Sequence, residues 1–226
     1  MRDQPDLKKK TVLLRLAGGF VAVAALLFLP AGTLLFWQGW LYLAVLFVPL
    51  TAVLAYLIRR DPELLVRRMQ LQEKEPVEKP IIAVASIFFL IVMMVPGLDF
   101  RFGWSHIPVG VVLASDIIVF SGYFIFFLTL RENSFASRII EVMPGQKVIT
   151  TGPYAVVRHP MYLGVILMAL FTPPALGSCW GEPLVIPVVA MILLRIRNEE
   201  GVLLRELPGY RDYCARTPYR LVPLLW

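Results

Sequence analysis

The stretch 34-LLFWQGWLYLAVLFVPLTAVLAYLI-58 is a run of 25 residues without a charged side chain. A helix rises about 1.5 Å per residue, so a run of this length can cross the roughly 30 Å hydrocarbon core of a bilayer. A strand of a membrane barrel would need only about ten residues, and it would alternate apolar with polar side chains. The stretch therefore predicts a membrane-spanning helix.

Other apolar runs predict further membrane-spanning helices on both sides of this stretch, at 12–30, 80–98, 108–130, 160–178 and 181–197. The last run is the weakest, because Pro183 and Pro187 lie inside it and its uninterrupted apolar core is short. The sequence thus predicts five or six crossings, of which we favour six.

The composition points to the same class of protein. The chain has 226 residues, of which 58% are hydrophobic and 17% are charged, and its mean hydropathy is +0.71. Soluble domains have about 45–50% apolar and about 25% charged residues. A globule of this size has too little interior to bury so much apolar surface. We therefore predict an all-α, polytopic helical membrane protein, and we exclude a soluble domain, a disordered chain and a disulfide scaffold.

The net charge of +6 is distributed unevenly along the chain. If the N-terminus is cytoplasmic, 21 of the 22 Lys and Arg residues face the cytoplasm, and only Arg101 does not. Such an asymmetry is the positive-inside pattern, which sets the orientation of helical membrane proteins. The sequence therefore predicts an integral membrane protein with cytoplasmic N- and C-termini if there are six spans. No nucleic-acid partner is predicted, and the Lys8–Lys10 run is expected to contact anionic lipids.

The chain divides into two predicted regions. Residues 1–130 form an N-terminal transmembrane scaffold of four spans, and residues 131–226 form a polar region with a transmembrane hairpin and a C-terminal cytoplasmic helix. A short amphipathic helix near 61–72 begins where Asp61 precedes Pro62, a typical helix start. We favour an interfacial position on the inner leaflet for it, with the shaping of a substrate entrance as the alternative.

Asp116 is an acidic residue inside the predicted span 108–130. Intramembrane acids are costly and usually face the interior of a helix bundle. This residue lies about two turns from the outer end of its helix, away from the polar region. We therefore expect a structural hydrogen bond for Asp116 rather than a catalytic role.

The side chains that could bind a cofactor or take part in a reaction are concentrated in two segments, and the first segment is 150-TTGPYAVVRHPMYLG-164. Here a turn delivers Arg158 and His159 to the start of a membrane helix, where Pro160 is well accommodated. The free N–H groups and the dipole at such a helix start favour an anionic group. Tyr162 lies on the same helix face as His159, and Gly164 leaves room for a close approach.

The second segment is 195-RIRNEEGVLLR-205. Its acidic pair, Glu199 and Glu200, follows directly on an apolar helix, so the pair is expected at the boundary between membrane and cytosol. Helical spacing predicts ion pairs from Arg195 to Glu199 and from Arg197 to Glu200. Arg205 is about 140° around a regular helix from Glu200, so these two would meet only across a cavity or through a helix break. Taken singly, both segments are also typical of interfacial anchors and solvated faces.

The combined pattern G-P-Y-x-x-x-R-H-P-x-Y-x-G, an apolar hairpin, E-E-x-x-x-x-x-R and Y-x-x-Y ending in R-L-V-P resembles the isoprenylcysteine carboxyl methyltransferase family. The wider group includes membrane phospholipid N-methyltransferases, and the resemblance covers about 130–224. It implies S-adenosylmethionine as cofactor, with S-adenosylhomocysteine as product, in a membrane-embedded pocket on the cytoplasmic side. The chain has no strand–GxGxxG–helix unit, so a Rossmann-type methyltransferase is excluded.

The resemblance also implies roles for individual residues. His159 and Tyr162 would meet the methionine end of the cofactor, His159 with Arg158 would hold its carboxylate, and Glu199 would meet its ammonium or ribose hydroxyls. Glu200 and Arg205 match positions that face the methyl acceptor and are the candidate catalytic residues. No metal ligand is implied. The full set of candidate cofactor-binding residues is Gly152, Pro153, Tyr154, Arg158, His159, Tyr162, Gly164 and Glu199.

The acceptor remains open between several chemistries. A carboxylate of the isoprenylcysteine type is favoured, since Arg205 could orient it without a general base. Amine or thiol acceptors would need deprotonation, with Glu200 as candidate base. The phospholipid-methylating branch typically has a GxG element, which Gly152-Pro153-Tyr154 interrupts. The alternatives are thus a thiol or isoprenoid acceptor, a phospholipid amine, and a non-enzymatic membrane scaffold or transporter. The expected partners are membrane lipids and a lipophilic or lipidated substrate, and the oligomeric state is not predicted.

Overall fold

The computed structural model describes residues 9–69 and 76–226, and these residues form helices and connecting segments without a β-strand. The predicted all-α class is confirmed. In chain order the helices are α1 (Lys9–Ala31), α2 (Trp37–Arg60), α3 (Pro62–Arg68), α4 (Glu78–Phe102), α5 (Val109–Glu132), a 3₁₀ turn (Gly152–Ala155), α6 (Pro160–Ala175), α7 (Glu182–Glu206) and α8 (Tyr210–Arg216).

Four of these helices, α1, α2, α4 and α5, are long and apolar enough to cross a membrane. Within each of them only 17–28% of the most apolar window is buried against the rest of the chain, so most of the apolar surface faces outward. In water such a surface would be strongly unfavourable, whereas lipid tails accommodate it. The protein is therefore an integral membrane protein.

The two remaining apolar helices, α6 and α7, differ in length from the spans expected at 160–178 and 181–197. Helix α6 has 16 residues and ends at Ala175, because Pro173 and Pro174 close it and Gly177 turns the chain with a φ of +74°. Helix α7 is longer than expected, with 25 residues. Its first proline, Pro183, lies in the first turn, where a missing N–H costs nothing.

Helices α5 and α6 cross with their backbones in close contact. A Cβ atom at Gly122 of α5 would lie 2.6 Å from the carbonyl oxygen of Gly164, and one at Gly164 would lie 2.5 Å from the carbonyl oxygen of Gly122. Both distances are far below van der Waals contact. The pair therefore lets the two backbones touch, as small residues do in membrane helix pairs.

Helix α3 begins where the sequence predicted a helix start. The Asp61 carboxylate accepts a hydrogen bond from the backbone N–H of Leu64 at 2.9 Å, and Pro62 occupies the first turn. Leu64 and Leu65 are buried, and they anchor α3 against α2 and α5. The last part of the predicted 61–72 helix, and Lys8 of the Lys8–Lys10 run, lie outside the described residues. The interfacial position of α3 stays a prediction.

The expectation that Asp116 makes a structural hydrogen bond is wrong. Its side chain is buried in α5, and neither carboxylate oxygen has a hydrogen-bond partner within the described residues. The nearby polar groups bond to each other instead, since the Tyr42 hydroxyl and Thr172 Oγ1 are 2.6 Å apart. Sequence position alone identified a buried acid, but it could not reveal that these neighbours are already engaged.

The Gly122–Gly164 contact predicts different effects for two glycines of the same helix. Gly122→Ala places a methyl group against the backbone of α6 and is expected to destabilise the fold by about 1–3 kcal/mol, the usual cost of overpacking. Gly110→Ala is the matched control, because a Cβ atom there meets nothing within 4 Å. Thermal unfolding of the purified protein in detergent measures both. Equal unfolding midpoints for the two variants would contradict the packing interpretation.

Candidate functional site

An open cavity lies between the connecting segment 133–149, the start of α6, the C-terminal part of α7 and helix α8. It encloses about 880 Å³ of empty space, including open solvent at its mouth. Polar side chains on its wall are Asn133, Ser137, Glu141, Gln146, Lys147, Tyr154, Arg158, His159, Tyr162, Arg195, Glu199, Tyr210 and Tyr213. Apolar side chains complete the wall, so the cavity suits a ligand with both polar and apolar parts.

The 3₁₀ turn brings Tyr154 to the cavity wall. Its hydroxyl accepts a hydrogen bond from Asn133 Nδ2 at 2.9 Å, and its backbone carbonyl accepts one from the Tyr213 hydroxyl at 2.8 Å. Burial raises the pKa of Tyr154 to about 12, so it is a neutral hydroxyl at physiological pH. The preceding Gly152 has a φ of +57°, and a Cβ atom there would lie 3.0 Å from the Glu132 carboxylate. Gly152 therefore shapes the turn.

Glu200 is the centre of a buried ionic cluster beside the cavity. Its carboxylate accepts hydrogen bonds from Arg158 Nε at 2.7 Å and Arg220 Nε at 2.6 Å, and His159 Nε2 lies 3.3 Å away. Burial alone would raise the pKa of Glu200, but the hydrogen bonds from His159, Arg220 and Arg158 outweigh it and lower the pKa to about 2. Glu200 is therefore a carboxylate at neutral pH.

The same cluster attaches the C-terminal segment to the start of α6. Arg158 Nη1 donates to the carbonyl oxygens of Thr217 and Pro218, at 2.9 and 2.8 Å. The backbone N–H groups of Arg158 and His159 donate to the carbonyl oxygens of Tyr219 and Arg220. The Arg158-His159 pair is thus engaged by the protein itself.

The predicted pairing of Glu200 with Arg197 is wrong. Glu200 pairs with residues before α6 and after α8, and not with Arg197, which is exposed on α7. Glu200 and Arg205 do not meet, because α7 continues unbroken through both. Arg205 is exposed beside Gly201 and has no ion pair within the described residues. Helical spacing could not predict these partners, since they come from distant parts of the chain.

Glu199 belongs to a second network that lines the cavity. The Tyr162 hydroxyl donates to Glu199 Oε2 at 2.6 Å and accepts a hydrogen bond from Arg195 Nε at 3.0 Å. Arg195 also pairs with Glu78, the first residue of α4, which is fully buried. The predicted ion pair between Arg195 and Glu199 is absent from the described residues, and Tyr162 bridges the two side chains instead.

The predicted site residues fall into two groups. Tyr154, Arg158, His159, Tyr162 and Glu199 line the cavity. The rest do not line it: Gly152, Pro153, Gly164, Glu200 and Arg205. Their proposed ligand contacts stay predictions, although the geometry gives Gly164 a packing contact and Glu200 a structural one.

Sequence reasoning missed several cavity residues. Glu141 and Lys147 lie in a segment without a recognisable motif, and Arg195 was assigned only as a helix neighbour. Tyr210 was recognised as part of the Y-x-x-Y pattern but received no role. Its hydroxyl is buried, and in the described part of the chain it has the Cys214 thiol as a weak neighbour but no strong hydrogen-bond partner. A bound molecule could supply that partner.

Comparisons with known proteins agree with the motif-based resemblance. The sequence model of the Isoprenylcysteine carboxyl methyltransferase (ICMT) family matches residues 112–205, which contain the 3₁₀ turn, α6 and most of α7. The resemblance inferred from the motifs is therefore confirmed. Glu78, Tyr210 and Arg220 lie outside the matched residues.

Two curated relatives match over shorter stretches. The chain is 30% identical to the Delta(14)-sterol reductase TM7SF2 of Mus musculus over 135 residues, which are 53% of this chain and 32% of that protein. It is 32% identical to the Nickel-cobalt-cadmium resistance protein NccN of Alcaligenes xylosoxydans xylosoxydans over 76 residues, 32% of this chain and 34% of that protein. The matches thus span about a third of the length of these relatives.

The ionic cluster predicts a pH-dependent effect of Glu200→Gln. At neutral pH the variant leaves Arg158 and Arg220 without their buried counter-charge, which is expected to cost about 3 kcal/mol. The carboxylate stabilises the fold above its ordinary pKa, and this contribution is lost as the pH falls toward about 2. The gap in unfolding free energy between wild type and variant should therefore narrow from about pH 7 to about pH 3.5.

Chemical unfolding in detergent at both pH values measures this gap. Glu206→Gln is the matched control, since Glu206 is exposed on the same helix. A gap that is independent of pH would contradict the assigned charge state of Glu200.

Proposed function

Because residues 112–205 match the isoprenylcysteine carboxyl methyltransferase family, we propose that this protein is an integral membrane methyltransferase. It uses S-adenosylmethionine and methylates a lipophilic acceptor at the inner membrane interface. The favoured acceptor is a carboxylate of the isoprenylcysteine type. The observation that carries the proposal is the cavity at the start of α6, whose lining contains Glu199, Tyr162 and Tyr154 within the family-matched residues.

The chemistry of the lining residues fits this cofactor. S-adenosylmethionine combines two cationic groups, a carboxylate, ribose hydroxyls and an aromatic base. Among the described residues Glu199 is hydrogen-bonded through Oε2, so its other oxygen can accept from an ammonium or a hydroxyl group. Tyr154 and Tyr213 offer aromatic surface for the base. The buried hydroxyl of Tyr210, which has only the weak Cys214 thiol beside it in the described residues, adds a polar group that a ligand would satisfy.

The cofactor's carboxylate needs a different partner from the one expected. Arg158 and His159 already bind Glu200, and Arg195 binds Glu78. Among the described residues, Lys147 is the cation of the cavity wall that has neither an ion pair nor a hydrogen bond. We therefore assign the carboxylate to Lys147, at the exposed side of the cavity. His159 and Arg158 keep a role in shaping the wall.

When bound, S-adenosylmethionine supplies an electrophilic methyl group at a sulfonium centre. The protein's task is then to align donor and acceptor and to exclude water. Apolar lining residues such as Ile139, Leu203 and Leu207 exclude water from the inner part of the cavity. Glu199 and the tyrosines supply the polar groups that orient the bound molecule. A carboxylate acceptor needs no general base, which agrees with the engagement of Glu200 by Arg158, Arg220 and His159.

The orientation in the membrane is part of the proposal. The basic residues cluster in segments that share one side of the four clear spans, and the cavity lies on that side. We assign this side to the cytoplasm by the positive-inside pattern. If α6 and α7 form a further transmembrane hairpin, both termini are cytoplasmic. A polar cofactor then arrives from the cytosol, and a lipophilic acceptor arrives from the bilayer.

Cofactor binding gives the first test. Purified protein in detergent should bind S-adenosylhomocysteine in calorimetry, and Glu199→Gln should weaken binding by about tenfold, since a charge-assisted hydrogen bond is lost. Glu206→Gln is the matched control on the same helix. NADPH serves as the competing candidate ligand, because one relative is named a reductase. Binding of NADPH without S-adenosylhomocysteine would replace the methyltransferase proposal by a reductase, and binding of neither would favour a non-enzymatic membrane protein.

Acceptor identity is tested with radiolabelled S-adenosylmethionine and a panel of prenylcysteine, phospholipid and lipophilic thiol acceptors. We expect label in the prenylcysteine carboxylate. Arg205→Ala reports on the predicted role of Arg205 in orienting the acceptor, and it should lower turnover while leaving cofactor affinity within about twofold. Unchanged turnover would remove Arg205 from the site, in keeping with its exposed position. Label in amines or thiols alone would overturn the carboxylate assignment.

A further inference from the structure

The buried residue Glu78 lies outside the family-matched residues 112–205, but its hydrogen bonds connect it to the cavity wall. It is fully buried at the start of α4. Its carboxylate accepts hydrogen bonds from Arg195 Nη1 and, at 2.7 Å, from Asn198 Nδ2. Both donors lie on α7. Burying a carboxylate is costly unless it is paired and hydrogen-bonded, so this arrangement commits Arg195 to Glu78.

Within the described residues, Arg195 donates to three acceptors at once. Besides Glu78, it donates from Nε to the Tyr162 hydroxyl at 3.0 Å and from Nη2 to the carbonyl oxygen of Arg138 at 2.6 Å. An arginine side chain can only donate. The hydroxyl oxygen of Tyr162 is therefore an acceptor toward Arg195, and its single hydrogen is directed to Glu199, 2.6 Å away. The orientation of Glu199 thus depends on Arg195.

Whether Glu199 forms an ion pair depends on the same arrangement. Arg195 and Glu199 are four residues apart on one helix, a spacing at which opposite charges normally pair. Here the guanidinium turns to Glu78 instead, and Glu199 receives a neutral hydroxyl. Glu199 therefore lines the cavity without a directly bonded cation among the described residues.

We propose that Glu78 is a positioning residue that, by engaging Arg195, keeps Glu199 out of an ion pair and oriented toward a cationic ligand. The inference rests on the proposed function, in which this ligand is S-adenosylmethionine. Its chemical consequence is a preference for the methyl donor over the product. The donor carries a positive sulfonium group, whereas S-adenosylhomocysteine has a neutral thioether in its place. Even where Glu199 contacts the ammonium group that both molecules share, an unpaired carboxylate attracts the additional positive charge of the donor through space.

The test is the ratio of the two affinities in Glu78→Gln, measured by calorimetry in detergent without turnover. The substitution keeps the size of the side chain but releases Arg195, which can then turn toward Glu199. We expect the dissociation constant for S-adenosylmethionine to rise about tenfold and that for S-adenosylhomocysteine by about threefold or less, as for a lost charge interaction near a protein surface. Glu206→Gln, an exposed glutamate of α7, should leave both constants unchanged.

A double-mutant cycle separates positioning from a general effect. If Glu78 acts through Glu199, then Glu78→Gln has no further effect on the affinity ratio when Glu199→Gln is already present. An additive effect, or equal weakening for both ligands in the single variant, would overturn the inference. Should wild type bind neither ligand, the proposed function itself fails.

A second variant covers the case in which Glu78→Gln does not fold. Arg195→Lys keeps the positive charge but cannot hold Glu78, Tyr162 and the carbonyl of Arg138 together. It should lower the preference for S-adenosylmethionine in the same direction. If a folded Arg195→Lys protein has the same ratio of dissociation constants for the two ligands as the wild type, the inference is overturned independently.

Discussion

The buried carboxylate of Glu200 is the constraint on which the site depends. Removing a carboxylate from water costs several kcal/mol, so it is tolerated only with good partners. Arg158, His159 and Arg220 supply them, and they come from the segment before α6 and the segment after α8. Satisfying one charge therefore fixes three parts of the chain relative to each other. Two of those parts, the start of α6 and the C-terminal part of α7, contribute to the cavity wall.

Glu199 and Glu200 show how neighbouring residues of one helix acquire opposite tasks. Successive residues point about 100° apart around a helix. Glu200 consequently faces the C-terminal segment and is hydrogen-bonded to Arg158 and Arg220, whereas Glu199 faces the cavity and receives the Tyr162 hydroxyl. The fully paired acid stabilises the fold, and the partly satisfied acid is the one available to a ligand. The shared motif does not by itself distinguish these tasks.

The fold could be predicted from sequence further than the site could. Long apolar runs are local signals, so a helix is present at each predicted span. The largest difference is at the end of α7, which continues to Glu206 instead of ending at residue 197. The ion pairs depend on residues far apart in sequence. Helical spacing suggested Arg197 for Glu200, whereas the structure uses Arg158 and Arg220. Gly164 was recognised as special, but its neighbour Gly122 could not be inferred.

The predicted division at residue 130 is crossed by the contacts that shape the cavity. Arg67 and Arg68 of α3 donate to the carbonyl oxygens of Ser134 and Ser137, in the segment that forms one cavity wall. Glu78 reaches α7 in the same way, through Arg195. A non-helical segment has few backbone hydrogen bonds of its own, so these outside donors determine where it lies. The N-terminal helices therefore do more than anchor the chain, since they hold the wall against which a ligand would bind.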